Sequence, residues 1–511
     1  MRFFTYRTHS LPKGRNLKNS GLLIFLFSLS ITTAQDDRLR LKRADVLENI
    51  TVDGISMQYL KGNVIFHKGE MVMNCDWARF NKGSEQGFLF GNVSMQKDDQ
   101  TLTCDSMFVD SPKDIMIAYS NTHVWDTTYS LVADTLFYFS ALDSGSANGS
   151  ATLIQDKQTI DADRIEYIKL PEVDGVSYAA RGNVSIIEED RLATCGEAIY
   201  DRENGKTVLR IKPAIVDNKQ TIAGKEIFLE YDEDVLKSLF IPKEAHVTHA
   251  SSGIREWIEI VDKDTTIFQD SLTLSDDMTG SIMQGFFVDG KLDSMRLEGM
   301  ATTLYHIFED SVYQGKNESS GDTITMRFGE DDLEKIFVQG GARGTYTPDT
   351  SGADVDGPIQ YQSQDIDYDV ANEYTDLHGD ATIDYTDINL RAGFINVAWR
   401  KNLLKALPES KRDTSYGVIR PEMIEAGKDT MFGDSIVYNL ETRHGKIVRG
   451  TTKAEDGFYH GKEIRNQDTD IFYIDDAAYT TCDLDEPHFH FEMNKMKMIN
   501  EDKVVARPIV H

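Results

Sequence analysis

Four residues near the C-terminal end are of types that could bind a metal ion. Cys482, Asp483, His488 and His490 bring a thiol, a carboxyl group and two imidazoles into nine residues. Thiolate and imidazole are the ligands that zinc prefers, but structural zinc sites use two closely spaced ligand pairs. No second Cys or His pair lies nearby, and the spacing fits no common ligand pattern. We therefore expect no metal site and no cofactor.

Paired carboxylates are the second candidate for chemistry. Asp161 with Asp163, and Asp365 with Asp367, would each lie on one face of a strand. Such pairs cleave glycosidic bonds in many hydrolases, but a chain with 84 acidic residues contains them by chance. The sequence has no Gly-x-Ser-x-Gly, no phosphate-binding loop and no His-Glu-x-x-His. We therefore expect no enzymatic activity and no catalytic residues.

A three-residue motif recurs with fixed spacing. Gly-Asn-Val is followed, eleven residues after the valine, by a cysteine: the pairs are Gly62-Asn63-Val64 with Cys75, Gly91-Asn92-Val93 with Cys104, and Gly182-Asn183-Val184 with Cys195. Apolar residues alternate after each motif and again around each cysteine, which is the period of a strand. Each unit therefore predicts a strand, a bend and a second strand. A single unit cannot cover its own apolar face, so the units must stack on one another.

The alternation also predicts which side chains face the interior of the stack. One face after each motif is apolar in all three units, and the opposite face is more polar. The interior candidates are Val64, Phe66, Val93, Met95, Val184 and Ile186.

Looser units of the same kind continue along the chain and predict an all-β protein. We expect about nine or ten units with periods of roughly 25 to 45 residues. Turn sequences such as Asp289-Gly290-Lys291 separate the apolar runs. Only Ala398 to Leu407 has helical character, and Pro408 would end that helix. Breaks in the pattern near residues 250 and 410 predict two or three lobes.

The N-terminal sequence and the net charge indicate the cellular compartment and the classes of partner to expect. Residues 1–34 contain five basic and no acidic residues, an apolar run from Leu22 to Ile31 and a small-residue site ending at Ala34. This pattern predicts a secretory signal peptide, since ten apolar residues fall short of the ~20 that span a bilayer. The formal net charge of −30 would repel nucleic acid, so no nucleic-acid partner is expected.

Cysteines are few, and their role stays open at this point. Cys75 and Cys104 hold equivalent positions in successive units. They would form a disulfide if their Cα atoms lay within ~7 Å. Otherwise they would serve as small buried apolar residues.

The motifs resemble a known family. The Gly-Asn-Val openings, with their Cys-Asp or Ala-Asp second arms, resemble the OstA repeat of bacterial lipopolysaccharide transport proteins. The segment from Gly433 to Pro508, above all Tyr479 to Pro487 and Val505 to Pro508, is similar to the periplasmic N-terminal region of the lipopolysaccharide-assembly protein LptD. Together the two resemblances cover nearly all of the chain after residue 34.

The resemblance implies a fold and a function. The fold would be an elongated open β-jellyroll of stacked V-shaped antiparallel strand pairs, with OstA-like repeats at 35–250 and 251–410 and an LptD-like region at 411–511. Its apolar interior would hold the lipid A acyl chains of lipopolysaccharide as they cross the periplasm.

The resemblance also implies partners. These would be other lipopolysaccharide transport components, an outer-membrane β-barrel with its lipoprotein, and copies joined end to end, so that the protein is periplasmic and associated with the outer membrane. In the LptD family, cysteines in the region of Cys482 can link oxidatively to the barrel. That family continues into a barrel beyond the point where this sequence ends, so a fragment and a soluble bridge are both open interpretations.

Two functional hypotheses follow. The first is a non-enzymatic carrier, because shielding an acyl chain from water gains roughly 0.8 kcal/mol per CH₂ and needs no reaction. The second is a closed β-solenoid that acts as a surface adhesin or a carbohydrate-active protein. An interior left open along one side would favour the first hypothesis, and a closed, dry interior the second.

Overall fold

The structure is a computed structural model. It describes residues 38–52, 54–170, 175–217, 219–232, 235–261, 264–329, 333–349, 357–410, 418–426, 430–454, 457–468, 471–482, 487–499 and 503–510. The predicted signal peptide, residues 1–34, lies outside these ranges. Within them, no helix has the length and apolar character needed to cross a membrane.

The described chain is built almost wholly from antiparallel strands. The first thirteen are β1 (Arg40–Arg43), β2 (Val46–Val52), β3 (Ile55–Lys68), β4 (Met71–Asn81), β5 (Gln86–Lys97), β6 (Gln100–Asp110), β7 (Ile115–Trp125), β8 (Tyr129–Phe139), β9 (Ser144–Gln155), β10 (Gln158–Lys169), β11 (Val176–Glu188), β12 (Arg191–Asp201) and β13 (Lys206–Arg210). The next thirteen are β14 (Ala214–Asp217), β15 (Gln220–Ala223), β16 (Glu226–Asp232), β17 (Val235–Ile241), β18 (Ala245–Val261), β19 (Asp264–Gly280), β20 (Ile282–Val288), β21 (Lys291–Glu309), β22 (Val312–Phe328), β23 (Leu333–Gln339), β24 (Arg343–Pro348), β25 (Ile359–Gln362) and β26 (Asp365–Asp369). The last thirteen are β27 (Tyr374–Tyr385), β28 (Ile388–Ala398), β29 (Leu403–Leu407), β30 (Glu409–Ser410), β31 (Val418–Ile419), β32 (Glu422–Glu425), β33 (Met431–Phe432), β34 (Ser435–Asn439), β35 (Gly445–Ala454), β36 (Gly457–Asp468), β37 (Ile471–Thr480), β38 (Phe491–Ile499) and β39 (Lys503–Val510). Two 3₁₀ turns, Ser111–Lys113 and Trp399–Lys401, complete the described elements.

The strands from β3 to β12 each show a register shift near the middle, where the strand bends, and in β3, β5 and β11 the recurring motif lies at this bend. Between β4 and β5, Asn74 pairs with Ser94 and Trp77 pairs with Phe90, so the register shifts at the bend. Gly91 and Asn92 adopt φ values of +74° and +48° there. This left-handed conformation suits glycine and tolerates asparagine. The motif therefore introduces a bulge that turns the strand.

The aspartate that follows the cysteine fills the inside of the bend. Asn92 Nδ2 donates to Asp76 Oδ2 over 2.8 Å, and a Cβ at Gly91 would lie 2.5 Å from that same oxygen. Glycine is therefore the residue that leaves room for the carboxylate. The same asparagine-to-aspartate bond recurs at Asn63 with Asp45, Asn121 with Asp105 and Asn183 with Asp163.

The bends divide the array into two arms whose inner faces pack together. In β3, residues 55–61 pair with β2 and belong to arm A, whereas residues 65–67 pair with β1 and belong to arm B. Phe66 of arm B and Phe80 of arm A lie with ring centroids 5.5 Å apart. The inward side chains form one core cluster that runs from Leu39 to Met498. The turns between strands lie at the free edges of the two arms, which face each other across a mouth.

The predicted fold class is confirmed. Among the described strands, 37 join one hydrogen-bonded sheet, and β30 and β31 form a second. Neighbouring strands pair antiparallel, except for one parallel contact between β18 and β22. Where a strand is interrupted, the pairing skips to the next strand of the same arm, as in β12 with β14 and β13 with β16. The array therefore grows in one direction as an elongated β-jellyroll of V-shaped units.

The predicted helix at Ala398 to Leu407 is wrong. The chain makes the short 3₁₀ turn Trp399–Lys401 and then β29, which pairs with β28 and β34. Leu404 and Ala406 are buried in the core, which is the every-second-residue burial of a strand. Packing against the neighbouring strands therefore outweighs the helix propensity of this segment. Ala250 to Gly253, the predicted break near residue 250, lies within β18. The division into lobes stays a prediction.

Candidate functional site: the interior cavity and its mouth

All six predicted interior residues are buried. Val64, Phe66, Val93, Met95, Val184 and Ile186 are at most 8% exposed. In the first units these side chains pack against other side chains of the chain: Met95 pairs across the sheet with Met73 and with Leu102, which are also buried. The interior is therefore filled at this end of the array. Contact between the six residues and lipid stays a prediction.

A cavity of about 600 Å³ opens further along the interior. It begins beside Ile186, the one predicted interior residue that lines it, and extends past β12 and β16 to β20 and β23. Most of its lining is aliphatic or aromatic, including Ile215, Leu229, Leu236, Phe287 and Phe328.

A change of side-chain size explains where the cavity starts. One inward row of arm B crosses successive even-numbered strands at Met73, Leu102, Leu131, Ile160 and Ala193. The first four are large and at most 1% exposed. Ala193, which pairs with Ile186 and Ile215, is small and lines the cavity. The missing side-chain volume leaves space that no neighbour fills.

Among the described residues, several ion pairs join the edges of arm A and arm B across the mouth. Two are long, Arg38 with Glu85 at 3.7 Å and Lys169 with Asp99 at 3.8 Å, and the other four have N–O distances of 2.9 Å or less. We call these four the latches: Lys68 with Asp114, Lys97 with Asp143, Lys169 with Asp126, and Arg202 with Asp156. The distance from Lys97 Nζ to Asp143 Oδ1 is 2.8 Å, and that from Arg202 Nη1 to Asp156 Oδ2 is 2.9 Å. Lys68 and Lys97 each also donate to a backbone carbonyl of the opposite arm, at Ser111 and Ser140. The latches therefore close the mouth over the first units.

The pKa values of two latch carboxylates, Asp126 and Asp143, are lowered. The Asp126 side chain is 0% exposed, and burial alone would raise its pKa, but hydrogen bonds from Lys169, Thr128 and Tyr129 hold the pKa below the ordinary value of 3.8. The pKa of Asp143 is also lowered: burial opposes ionisation, and bonds from Lys97 and Tyr138 outweigh it.

The next pair of turns along the array is acidic, and no ion pair joins them among the described residues. The turn between β11 and β12 carries Glu188, Glu189 and Asp190, and the turn between β16 and β17 begins at Asp232. Two of these acids are paired within their own arms instead, Glu189 with Lys157 and Asp232 with Lys237. Glu188, Glu189, Tyr231 and Val235 line a second opening of about 640 Å³, which shares residues with the cavity. We call this opening the gap.

A buried polar cluster also lines the cavity. Asp276 is 0% exposed and accepts hydrogen bonds from the His306 backbone N–H at 2.8 Å and from Ser251 Oγ at 2.5 Å. His306 Nδ1 lies 2.7 Å away, and His249 Nδ1 3.4 Å. Burial opposes its ionisation, but these bonds lower the pKa of Asp276. Sequence reasoning missed this cluster, because its members come from three strands.

The four thiols are free. Cys75 and Cys104 lie on β4 and β6 with β5 between them. Two strand spacings amount to roughly 9.6 Å, beyond the ~7 Å that a disulfide spans. Burial raises the pKa of Cys75 to about 11 and that of Cys104 to about 12.

At the C-terminal candidates for metal binding, Cys482 is half-buried and its Sγ lies 3.5 Å from His488 Nδ1. His490 Nε2 lies 3.1 Å from Glu492 Oε1, and Asp483 lies outside the described residues. Nowhere in the described ranges do three or more His, Cys, Asp or Glu side chains converge as metal ligands would.

The carboxylates of one candidate pair have separate structural partners. Asp161 accepts from Thr152 Oγ1 over 2.6 Å on an arm, and Asp163 accepts from Asn183 over 3.0 Å at the bend. In the other pair, Asp365 lies 3.3 Å from the Gly340 backbone N–H. Asp367 faces His378 at 3.9 Å.

Comparison with known proteins gives matches to a family model and to solved structures. A family model described as OstA-like protein matches residues 36–169 and, overlapping them, residues 81–225. Among solved structures, the chain is similar to LptH from Pseudomonas aeruginosa, described as the LptA homologous periplasmic component of the conserved lipopolysaccharide transport device. That similarity has 14% identity and a TM-score of 0.24, and it covers 29% of this chain and 93% of LptH. No curated protein sequence matches the chain.

Proposed function

We propose that the protein carries lipopolysaccharide and shields its acyl chains inside the jellyroll, because residues 36–225 match a family model described as OstA-like protein. The observation that supports this most strongly is the cavity of about 600 Å³, which has a mostly apolar lining and opens in the interior of the array. Cavities of roughly 300–1,000 Å³ with mostly apolar linings are typical ligand sites.

Shielding provides enough free energy without any reaction. A ten-carbon stretch of acyl chain gains on the order of 8 kcal/mol when it leaves water, at roughly 0.8 kcal/mol per CH₂. The inner faces of both arms supply the apolar lining, and the gap gives the interior an opening to solvent. The proposed carrier therefore needs no catalytic residue and no cofactor.

The proposed location is the periplasm, with other lipopolysaccharide transport components as partners. The predicted signal peptide and the family support the location. End-to-end assembly is supported by β2, which among the described strands pairs only with β3 and has Val46, Leu47 and Ile50 more than 40% exposed. An unpaired strand edge of this kind can pair with another chain. We further propose that residues 411–511, with their LptD-like sequence, face an outer-membrane partner.

Photo-crosslinking tests the carrier function. A photoreactive amino acid placed at Leu236 in the cavity, or at Phe66 or Met95 in the first units, is expected to capture purified lipopolysaccharide. The matched controls are Ser94 and Gln96, which alternate with Met95 on β5 and point to the other face of the sheet. Equal capture at both faces would contradict the proposal, since it would show contact without shielding.

One observation favours the second hypothesis, an adhesin or carbohydrate-binding protein. The interior of the first units is filled, and the latches close it. Binding to a panel of immobilised polysaccharides, lost on substitution of a single aspartate, would support that hypothesis. Capture of lipopolysaccharide at Leu236 with no polysaccharide binding would exclude it.

A further inference from the structure

We infer that the four latches are a gate: acyl chains enter at the gap and reach the first units only as the latches open, starting with Arg202 and Asp156. The inference rests on the proposed carrier function. It assigns a route and a regulatory element to the same interior.

The regular placement of the latches shows that they belong to the repeat. Their partners lie 43 to 46 residues apart in the sequence, and each latch joins turns that lie two strands further along the array than the one before. In the first two latches the cation comes from arm B, and in the last two it comes from arm A. The arm that supplies the cation therefore changes between the second and the third latch, but a cation faces a carboxylate in all four. Closure of the mouth is therefore the feature that the four pairs share.

An ion pair is a closure that can open at low cost. In each latch one side chain is more buried than its partner. Lys68 is 5% exposed and Asp114 40%, and Arg202 is 15% exposed and Asp156 54%. In the third latch Asp126 is 0% exposed and Lys169 26%. Separation of a pair returns both ions to water, and this hydration offsets most of the lost attraction. An apolar seam would lose its stabilisation outright. The latches can therefore open and close while the strands stay paired.

The interior behind the latches can change shape. Met73, Met95, Met107 and Met116 all lie there and are at most 1% exposed. Methionine is unbranched and has three rotatable bonds, so it adapts to irregular spaces better than a β-branched residue. An acyl chain that passes an open latch would therefore meet side chains that can move aside.

The gap leads directly to the fourth latch. Asp156 and Arg202 line the same opening as Glu188 and Glu189. That opening in turn shares Leu236 with the cavity. An acyl chain in the cavity thus lies next to the fourth latch, and the first and second latches lie farther along the array. This arrangement sets the expected order of opening.

A covalent bridge in place of one latch tests the gate. In a Cys482→Ser background, Lys97→Cys and Asp143→Cys are joined by a short bis-maleimide, and a photoreactive amino acid is placed at Phe66 or at Leu236. With purified lipopolysaccharide, the bridge is expected to reduce capture at Phe66 at least tenfold and to leave capture at Leu236 unchanged. The control is the same variant treated with a monofunctional maleimide.

The outcomes separate this inference from the function on which it rests. Undiminished capture at Phe66 in the bridged protein would overturn the gate and leave the carrier function standing. Absence of capture at both positions, in bridged and control protein alike, would overturn the carrier function and the gate with it.

A charge reversal tests the gate in the opposite direction. Asp143→Lys places two cations at the second latch and is expected to raise capture at Phe66 several-fold, whereas Lys97→Asp combined with Asp143→Lys should restore the original level. Glu244→Lys, which disrupts an exposed ion pair with Lys225 away from the mouth, is the matched control. Equal capture in all three variants would count against the gate, provided that circular dichroism shows the same strand content.

Discussion

Filling the cavity should stabilise the protein and impair lipid binding. Ala193 and Ala198 both lie on β12 and face the interior, but Ala193 lines the cavity and Ala198 is fully packed at 0% exposure. In Ala193→Phe the new ring enters existing space. Full burial of a phenylalanine side chain gains roughly 1.5–3 kcal/mol, less up to about 1 kcal/mol of lost side-chain freedom. We expect a net gain of about 1 kcal/mol in the free energy of unfolding.

Ala198→Phe is the matched control for this prediction. Here the ring must displace neighbours in a filled core, which costs roughly 1–3 kcal/mol. The two variants should therefore differ by about 2–4 kcal/mol in opposite directions, and thermal unfolding followed by circular dichroism measures the difference. Ala193→Phe should also reduce capture of lipopolysaccharide at Leu236. If Ala193→Phe destabilises the protein as much as Ala198→Phe does, the cavity is not where the structure places it.

Three further predictions follow from other parts of the molecule. Gly91→Ala should lower the thermal midpoint more than Gly290→Ala, because both have φ near +75° but only Gly91 would place its Cβ against the Asp76 carboxylate; equal shifts would refute the role given to the bend. Asp126→Asn should cost about 2 kcal/mol, because Lys169 loses a charged hydrogen-bond partner. The pKa of Asp126 in the folded protein lies below 3.8. The ionised carboxylate therefore stabilises the fold above that pH, and this stabilisation is lost as the pH falls through the folded pKa. The difference in unfolding free energy between wild type and variant should be constant from pH 8 to 5 and shrink below about 3.8. Only Cys482 should react with a thiol reagent at pH 8 in the native protein, because burial raises the pKa of the other three thiols to about 11 or 12; rapid reaction of all four would contradict their burial.

The fold was predictable from the sequence because the spacing and alternation within each repeat specify the strand length and the inward face. Equal spacing from Gly-Asn-Val to cysteine fixes the strand length, and alternation after Val64, Val93 and Val184 fixes the inward face. The role of the aspartate after the cysteine was not predictable in the same way. Asp76 bonds to the asparagine of the next unit, and that pairing depends on the bulge register rather than on sequence spacing alone.

The latches could not be read from the sequence. Lys68 and Asp114 come from turns on different arms, and they meet only because the arms are offset along the array. Charged turn residues usually indicate solvent exposure, and the chain has many of them. The offset is a property of the assembled units, so no local pattern contains it.

The position of the cavity could be found in the sequence only after the repeat units are aligned with one another. Once Met73, Leu102, Leu131, Ile160 and Ala193 are placed in one row, the small residue stands out. The acidic turn at Glu188 is also visible in the sequence, but only the structure shows that Glu188 and Val235 line the same opening. The predicted helix failed for a related reason, since its alternating Leu404 and Ala406 are set by neighbouring strands.

Direct mapping of where acyl chains lie tests the central claim. Purified lipopolysaccharide whose acyl chains carry photoreactive groups is bound to the full chain and irradiated, and the modified peptides are identified by mass spectrometry. We expect adducts on cavity residues such as Ile186, Ile215 and Leu236, and none on the outward side chains Phe88 and Phe90 of β5. Adducts confined to the outer faces of the arms, with the cavity residues unmodified, would contradict the central claim.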